Sequence, residues 1–413
     1  MPGGVAGERP IWVVPYADAR VFVRFRVRFR FDENNLSRFG GRMDSLSRGG
    51  DIMSELVHTS IVNGTGFITL DRPKALNSLS LEMLRAITAA LLAWRDDSAV
   101  AAVVIRSSSE KAFCAGGDIR FFYEAGRATP QTGSALLEDF FTEEYSLNHL
   151  VHSYPKPYIA LMDGVVMGGG MGIAQSGPDS RVRIVTERTK MAMPEVNIGL
   201  FPDVGGSYFL SRAPGGLGCY LGVTGVTMGA ADALYSGLAD HYVPADALEL
   251  LHAILESTPG AELVEAIAAF AEPFKGAVGP GKLEANRADI DRHFGAGSVP
   301  AIVASLEADA GPFARETTTM MATRSPLMMC VTHEMIRRGA ALDMAGCLRM
   351  ERALVRRVFE NGEVIEGVRA LVIDKDNAPR WRPPSIAEVG EELVARWFAP
   401  VWPEHAHPLR HLA

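Results

Sequence analysis

The sequence predicts an α/β protein in which a parallel sheet is followed by a mainly helical carboxy-terminal region. Between residues 53 and 245, short β-rich runs alternate with helix-periodic stretches, which is typical of strands that pair in parallel through helical crossovers. From residue 246 onward the pattern is helix-periodic and poor in strands. We therefore divide the chain into segments 1–52, 53–245 and 246–413.

Segment 1–52 differs in character from the rest of the chain. It contains RVFVRFRVRFRFDENN, in which Arg alternates with Val and Phe at the period of a strand. An Arg-rich, acid-poor start can also indicate an organelle transit peptide, but the alternation here is strand-like and not helical. We expect a poorly ordered or adventitious extension, with the folded domain opening at Met53.

The elements after Met53 follow from local signals. HTSIVNGTGFITL predicts a hairpin that turns at Asn63-Gly64. Ser80 can cap the helix that comes next. The apolar face of that helix consists of Leu84, Ile87, Leu91 and Leu92.

Three further runs predict strands of the parallel sheet. AVAAVVIRS (99–107) is continuously apolar and rich in β-branched residues, which suits a strand buried on both faces. PYIALMDG (157–164) and RVRIVTE (181–187) each follow a helical stretch. After residue 246, runs such as ALELLHAILEST and ELVEAIAAFAEPF have helical periodicity.

Composition excludes several classes of protein. The 413 residues include 41 Lys and Arg and 49 Asp and Glu, and the net charge of −8 argues against general nucleic-acid binding. The four cysteines are scattered without a CxxC pair, which indicates reduced thiols. No apolar run reaches the roughly 20 residues of a membrane span. We expect a soluble cytoplasmic protein with no membrane or nucleic-acid partner.

Several well-known motifs are missing from the sequence. It has no GxSxG nucleophile elbow and no Walker P-loop, and the glycines at 168–172 do not fit GxGxxG. HEMIR (333–337) lacks the second histidine of a zinc-protease helix, and the ten histidines form no ligand cluster. We therefore expect no metal and no dinucleotide cofactor.

Two glycine-rich turns remain as candidates for chemistry. KAFCAGGDIR (111–120) and DGVVMGGGMGIAQ (163–175) each lead from a strand into a predicted helix. Such glycines often do no more than let a helix pack close to a strand. Alternatively, two converging turns of this kind would offer a pair of backbone N–H donors to one developing oxyanion.

Two acids stand in an apolar, glycine-rich stretch, KMAMPEVNIGLFPDVGGSYFLSR (190–212). One interpretation makes Glu195 a surface residue and Asp203 the N-cap of a helix that begins near Val204. The alternative is a pair of catalytic carboxylates, because apolar neighbours raise the pKa of a nearby acid and suit it to act as a base.

These motifs together resemble the crotonase (enoyl-CoA hydratase/isomerase) superfamily. The resemblance lies in AFCAGGDI, MGGGMG and MPE followed by GLFPDVGGSYFLSR, and it extends to VIEGVRALVIDKDNAPRW (364–381). FPDVGG, MAMPE and the EGVRALVIDKD tail are more narrowly similar to the 3-hydroxyisobutyryl-CoA hydrolase branch. The resemblance implies a crotonase-like ββα spiral core over 53–245 and a helical region that covers the acyl pocket or builds oligomer contacts.

The same resemblance implies roles for five residues. The amides of Gly117 and Gly169 match the oxyanion hole around a thioester carbonyl. Glu195 matches the catalytic glutamate, Asp203 matches the second acid of the hydrolase branch, and Glu144 matches a residue of the substrate site.

One departure from the wider superfamily favours hydrolysis. Hydratases of the superfamily carry a second glutamate three residues after the oxyanion glycine, where this chain has Gly172. The implied reaction is hydrolysis of 3-hydroxyisobutyryl-CoA in valine breakdown. Enoyl-CoA hydration or isomerisation, and a non-catalytic homologue that binds CoA esters, are the alternatives.

Coenzyme A is anionic, so an acidic protein needs local cations to bind it. Arg72 and Lys74 lie where crotonases hold the adenine and phosphate end, and Lys375 is a further candidate. Each of them, taken alone, is more typical of a solvated surface charge than of a ligand contact. We expect no separate cofactor, since coenzyme A is part of the substrate, and we expect a homo-oligomer.

Overall fold

The computed structural model describes residues 54–129, 133–175, 177–178 and 180–413. The predictions for segment 1–52 and for Met53 lie outside the described residues. Residues 51–413 form one compact unit. The predicted boundary at residue 245 stays a prediction, although the last described strand ends at Tyr242.

Within the part of the chain that the structure describes, nine strands form two sheets. The strands are β1 Val57–Val62, β2 Thr65–Leu70, β3 Ala102–Ser107, β4 Ala112–Cys114, β5 Tyr158–Met162, β6 Val165–Met167, β7 Arg181–Val185, β8 Lys190–Ala192 and β9 His241–Tyr242. The larger sheet has the order β1-β2-β3-β5-β7-β9, and the smaller sheet has the order β4-β6-β8. Only β1 and β2 pair antiparallel among these strands; the other pairs are parallel.

The two sheets reveal a repeated unit. In three successive repeats, one strand enters the larger sheet and the next enters the smaller one: β3 then β4, β5 then β6, and β7 then β8. This alternation winds the chain into a spiral, which confirms the predicted α/β class and its ββα repeat. The sequence prediction missed the smaller sheet, because strands of three residues are too short to show an alternating pattern.

Seventeen α-helices accompany the sheets among the described residues. They are α1 Leu81–Arg95, α2 Ile119–Ala128, α3 Ala135–His152, α4 Gly169–Gly172, α5 Gly206–Ser211, α6 Leu217–Thr224, α7 Ala230–Tyr235, α8 Leu248–Ser257, α9 Leu263–Ala271, α10 Lys282–Ala285, α11 Arg287–Phe294, α12 Val299–Glu307, α13 Pro312–Met321, α14 Pro326–Gly339, α15 Met344–Asn361, α16 Glu363–Val368 and α17 Glu391–Trp397. A 3-10 turn at Glu195–Ile198 and a π-helical turn at Arg369–Ile373 complete the elements that bear on function. No described helix is long and apolar enough to cross a membrane.

The local predictions for the first elements hold, with one exception. The hairpin turns at Asn63 and Gly64, both at positive φ, as its sequence predicts. The Ser80 side chain accepts a hydrogen bond from the N–H of Met83 and caps α1. Leu92 was predicted to face the core, but its side chain is 47% exposed.

The helical region packs directly on the α/β part. One apolar cluster unites residues of the sheets and their helices, such as Ile105 and Met162, with Val331, Val355 and Val368 of α14, α15 and α16. A second cluster lies on the other face of the larger sheet, where α8 and α9 cover it. The carboxy-terminal helices therefore contribute to the core from which the site is built.

Candidate active site

The two glycine turns converge, as the sequence predicts. Gly116 and Gly117 follow β4, and Gly168 and Gly169 follow β6, the neighbouring strand of the smaller sheet. A β-carbon added at Gly169 would lie 3.4 Å from the N of Gly117, so the two turns nearly touch. Among the residues that the structure describes, neither the N–H of Gly117 nor that of Gly169 donates a hydrogen bond. Two adjacent free donors of this kind can bind one oxyanion.

Both turns border a cavity of about 200 Å³. Its walls include Glu144, Glu195 and Asp203, with apolar side chains from Ile198 and Leu371 among the remainder. Since water-sized and acyl-sized groups fit such a volume, the cavity can hold the reacting end of a small acyl group beside the three acids.

Glycine is required in the second turn because two acids touch it. A β-carbon at Gly168, where φ is +51°, would lie 2.6 Å from Oε1 of Glu195. A β-carbon at Gly169 would lie 2.6 Å from Oε1 of Glu144. The turn therefore lets both carboxylates approach the backbone that carries the free N–H.

Glu195 is buried, so the interpretation of a surface glutamate is wrong. It follows Pro194 at the start of the 3-10 turn and is 6% exposed. Its Oε2 has no hydrogen-bond partner among the described residues. Burial, and then the negative charges of Asp203 and Glu144, hold the pKa of Glu195 well above its usual range. A pKa raised in this way favours the protonated form of the carboxyl group.

Asp203 is also buried, and it is not an N-cap. The helix that follows it, α5, begins at Gly206 and has Gly205 at its N-cap with no side-chain cap. The hydroxyl of Tyr145 donates a hydrogen bond of 2.8 Å to Oδ2 of Asp203. Burial raises the pKa of Asp203 to about 6, although the Tyr145 hydrogen bond opposes the shift.

Glu144 completes the cluster from helix α3. It is 2% exposed, and its Oε1 has no partner among the described residues. Burial and then the negative charge of Asp203 hold its pKa well above the usual range. Three buried acids thus share one site, so the protonation of each depends on that of the other two.

The three predicted cations do not line the cavity. Arg72 forms an ion pair of 2.9 Å with Asp118, and Asp118 accepts a hydrogen bond from the N–H of Phe121 as the N-cap of α2. Lys74 and Lys375 are exposed. The structure therefore brings together five of the eight predicted site residues, and Arg72 supports the helix that follows the first glycine turn.

Two further residues belong to the site but were not found from the sequence. Tyr145 follows Glu144 directly in the sequence. Only the folded structure shows that its buried hydroxyl donates a hydrogen bond to Asp203, and this contact places Tyr145 in the site. Leu371 lies in the π-helical turn, is 44% exposed and lines the cavity. Leu371 is part of the EGVRALVIDKD tail, and the resemblance of that tail to the hydrolase branch is the sequence feature that could have identified it.

The position of Gly172 has no room for a side chain. A β-carbon there would lie 2.6 Å from Cβ of Val204 and 2.7 Å from Nδ2 of Asn148. Real β-carbons do not approach other atoms so closely, so a second glutamate at this position would require the loop around Val204 to move.

A group of possible metal ligands lies outside this cavity. Oxygen and nitrogen atoms of Asp289, His293 and Asp309 come within 4.8 Å of one another. Arg292 forms ion pairs with both aspartates and already supplies positive charge there. The group is therefore explained as an ion-pair network.

Comparison with known proteins gives a consistent picture. The profile of the enoyl-CoA hydratase/isomerase family matches residues 65–398. The 3-hydroxyisobutyryl-CoA hydrolase, mitochondrial, of Danio rerio is 40% identical over 88% of this chain and 93% of its own length. The human protein of the same name is 38% identical over 81% of this chain and 86% of its own.

Two solved structures are also similar. A carnitinyl-CoA dehydratase from Mycobacterium thermoresistibile is 38% identical, with a TM-score of 0.76 over 85% of this chain and 98% of that one. An enoyl-CoA hydratase from Rhodobacter sphaeroides is 38% identical, with a TM-score of 0.74 over 84% and 98%.

The predicted cytoplasmic location is wrong by this comparison, because the hydrolase relatives are named as mitochondrial proteins. The error has a physical reason. Scattered, unpaired cysteines indicate only that the thiols stay reduced, and this property does not separate one reducing compartment from another.

The fold, the family profile and the relatives agree over most of the sequence. The matched range includes the ββα spiral and the two glycine turns that meet beside the buried acids. The chain belongs to the enoyl-CoA hydratase/isomerase family, the crotonase superfamily.

Proposed function

We propose that this chain is a thioesterase that hydrolyses 3-hydroxyisobutyryl-CoA to 3-hydroxyisobutyrate and coenzyme A, a reaction of valine breakdown. The observation that carries the proposal is the pair of free N–H groups at Gly117 and Gly169 beside the buried acids Glu195 and Asp203. The names of the sequence relatives agree with it.

In the proposed reaction the thioester oxygen lies between the N–H groups of Gly117 and Gly169. As the carbonyl carbon becomes tetrahedral, negative charge builds up on this oxygen, and each good donor is worth about 3–4 kcal/mol. The free state of both N–H groups means that no protein hydrogen bond has to break before the substrate binds.

Glu195 acts on the carbonyl carbon in one of two ways. As a base, it takes a proton from water, whose oxygen attacks the carbon; the C–S bond then breaks, and the sulfur of coenzyme A receives that proton from Glu195 and leaves as the thiol. As a nucleophile, its carboxylate oxygen attacks the carbon and displaces the thiolate, and water then hydrolyses the mixed anhydride. The unpartnered Oε2 of Glu195 supports both routes.

Asp203 and Glu144 have supporting roles in the proposal. Asp203, held by the Tyr145 hydroxyl, orients the attacking water or accepts a hydrogen bond from the 3-hydroxyl of the substrate. Glu144 has a free Oε1 against the second glycine turn and binds the substrate there.

Arg72, Lys74 and Lys375 are proposed for the phosphate end of coenzyme A. Self-association through the helical region is a further prediction, which light scattering of the purified protein tests.

Enoyl-CoA hydration is the second candidate, because the two similar solved structures are named as a dehydratase and a hydratase. The packing of Gly172 against Val204 speaks against it. Hydration of a double bond needs an acid and a base on one face of the substrate, and this position has no room for the second glutamate.

The test is CoA release from 3-hydroxyisobutyryl-CoA, followed with a thiol reagent. Isobutyryl-CoA, which lacks only the 3-hydroxyl, is the matched control substrate, and loss of crotonyl-CoA absorbance reports hydration. We expect CoA release that depends on the 3-hydroxyl and little hydration. A protein that hydrates crotonyl-CoA without releasing CoA would be a hydratase, and one that binds the esters without turnover would be a binding homologue.

A further inference from the structure

We propose that Glu351, on helix α15, is a positioning residue that fixes the loop carrying Asp203 and thereby sets the geometry of thioester hydrolysis. This proposal rests on the function proposed above for Asp203. It assigns the carboxy-terminal helical region an indirect part in the reaction, through the position of Asp203, in addition to covering the cavity.

The loop after Asp203 has an unusual backbone. Val204 has φ of +54° and Gly205 has φ of +88°. A β-branched residue rarely adopts positive φ, because its side chain crowds the backbone there. Such a conformation persists only where surrounding contacts determine it.

Glu351 supplies those contacts. Its Oε2 accepts a hydrogen bond of 2.8 Å from the N–H of Gly205. Its Oε1 accepts bonds of 2.9 Å from the N–H of Ser207 and 2.5 Å from the Ser207 hydroxyl. The carboxyl group therefore bridges the loop on both sides of Gly206, and it is fully buried while doing so.

The same helix covers the loop at a second point. A β-carbon at Gly205 would lie 2.4 Å from Cε of Met344, the first residue of α15. On the opposite side, the Tyr145 hydroxyl holds the Asp203 carboxylate. Asp203 is thus fixed at its side chain by Tyr145 and at its following backbone by Glu351.

The pKa of Glu351 is consistent with a buried carboxyl group that links helix α15 to the loop after Asp203. Burial raises its pKa to about 8, and the hydrogen bonds from Ser207 and Gly205 oppose that shift. A carboxyl group that only needed to be buried would be replaced at less cost by an apolar side chain. Its retention is explained by the three donors that it engages.

A purely structural role is the alternative, since Glu351 also satisfies N–H groups at the start of the short helix α5. The two roles predict different kinetics. A structural role lowers stability and leaves the turnover of the folded enzyme unchanged. A positioning role lowers kcat with little change in KM, because the substrate still binds while Asp203 is displaced.

The experiment compares Glu351→Gln with Arg352→Met in the full-length chain. Arg352 is the next residue on α15 and is equally buried, but it pairs with Glu138 and does not contact the loop. We expect Glu351→Gln to lower kcat on the order of 10- to 100-fold with nearly unchanged KM. Arg352→Met should melt at a lower temperature and retain its kcat. Ser207→Ala, which removes one of the three bonds, should give a smaller loss than Glu351→Gln.

The proposal is overturned if folded Glu351→Gln keeps the wild-type kcat, or if Arg352→Met loses as much kcat as Glu351→Gln. Amide hydrogen exchange gives a readout that needs no substrate. We expect faster exchange at Gly205 and Ser207 in Glu351→Gln than in Arg352→Met. If the wild type releases no CoA, the proposed function fails. Equal amide exchange in Glu351→Gln and Arg352→Met would separately show that Glu351 does not fix the loop after Asp203.

Discussion

Buried acids are treated differently in the α/β part and in the helical carboxy-terminal region. In the helical region, Glu351 accepts three hydrogen bonds, and Glu363 accepts one of 2.6 Å from the Ser325 hydroxyl. In the α/β part, Glu144 and Glu195 each keep a buried oxygen without a partner among the described residues. All of these acids are raised in pKa by burial.

The difference teaches how to separate functional acids from structural ones. A buried polar atom without a partner costs stability, so folding alone does not favour it. A site that awaits a ligand can keep such an atom, because the ligand supplies the missing partner. By this criterion Glu144 and Glu195 are candidates to contact the substrate, whereas Glu351 and Glu363 hold other parts of the protein in position.

The largest expected effect tests this separation directly. Glu195→Gln removes the group proposed to activate water or attack the thioester, and we expect CoA release to fall on the order of 10³-fold. Glu363→Gln is the matched control, because it changes an equally buried but partnered acid. It should lower the melting temperature and leave CoA release nearly unchanged. Equal losses of activity in both variants would contradict the separation.

Asp203 should show a cost in stability that depends on pH. Its pKa is raised by burial from 3.8 to about 6, so the folded protein binds more protons than the unfolded chain between these values. Its contribution is therefore favourable below about pH 4 and is lost as the pH rises through 6. Asp203→Asn removes this effect and should stabilise the protein at neutral pH by up to about 3 kcal/mol.

Urea unfolding near pH 4 and near pH 7.5 measures this effect. The gain from Asp203→Asn should be present at the higher pH and disappear at the lower one, while CoA release falls at both. A variant that is destabilised at neutral pH would mean that the Tyr145 hydrogen bond outweighs the burial of charge.

The sequence allows prediction of the parts of the site that depend on local pattern. The glycine turns, Glu195 and Asp203 stand in short motifs, and the hairpin at Asn63-Gly64 depends on two neighbouring residues. These features are set by backbone conformation or by residue type within a few positions, so they can be read without the fold.

The remaining parts depend on contacts between distant segments. Glu351 reaches Gly205 across 146 positions of sequence, and nothing near either residue signals the contact. Leu92 carries the helical period of its neighbours, yet it is 47% exposed because the core does not extend to that side of α1. The smaller sheet arises because three short strands meet in the spiral, which is a property of the whole fold.

An intermediate loss of stability is expected when the buried ion pair between helices α15 and α3 is broken. Arg352 is 1% exposed and forms ion pairs with Glu138 of α3, which is 30% exposed at its side chain. Loss of one partner from a buried pair costs about 3–5 kcal/mol, but Glu138 can regain water. We therefore expect Arg352→Met to lower the free energy of unfolding by about 2 kcal/mol, measured by urea unfolding. An unchanged free energy of unfolding would mean that the Arg352–Glu138 ion pair contributes no more than an ion pair on the protein surface.

The smallest effects are expected at the proposed phosphate end. Lys74 and Lys375 are exposed, and an exposed charge is worth less than about 1 kcal/mol. Lys74→Ala and Lys375→Ala should each raise KM by a few fold with unchanged kcat and stability, and added salt should erase the difference. A KM that is insensitive to both substitutions would remove these residues from the substrate site.

Arg72 should behave differently from the two lysines, although all three were predicted for the same role. Its guanidinium holds Asp118, and Asp118 caps helix α2, which begins two residues after Gly117, the proposed oxyanion-hole glycine. Arg72→Ala should therefore lower kcat as well as raise KM, because the N–H of Gly117 loses support. Arg72→Lys keeps the charge but not the fork that also contacts Ser78, so it should restore KM more than kcat. If Arg72→Ala changes KM alone, its contact is with the phosphates and not with the turn.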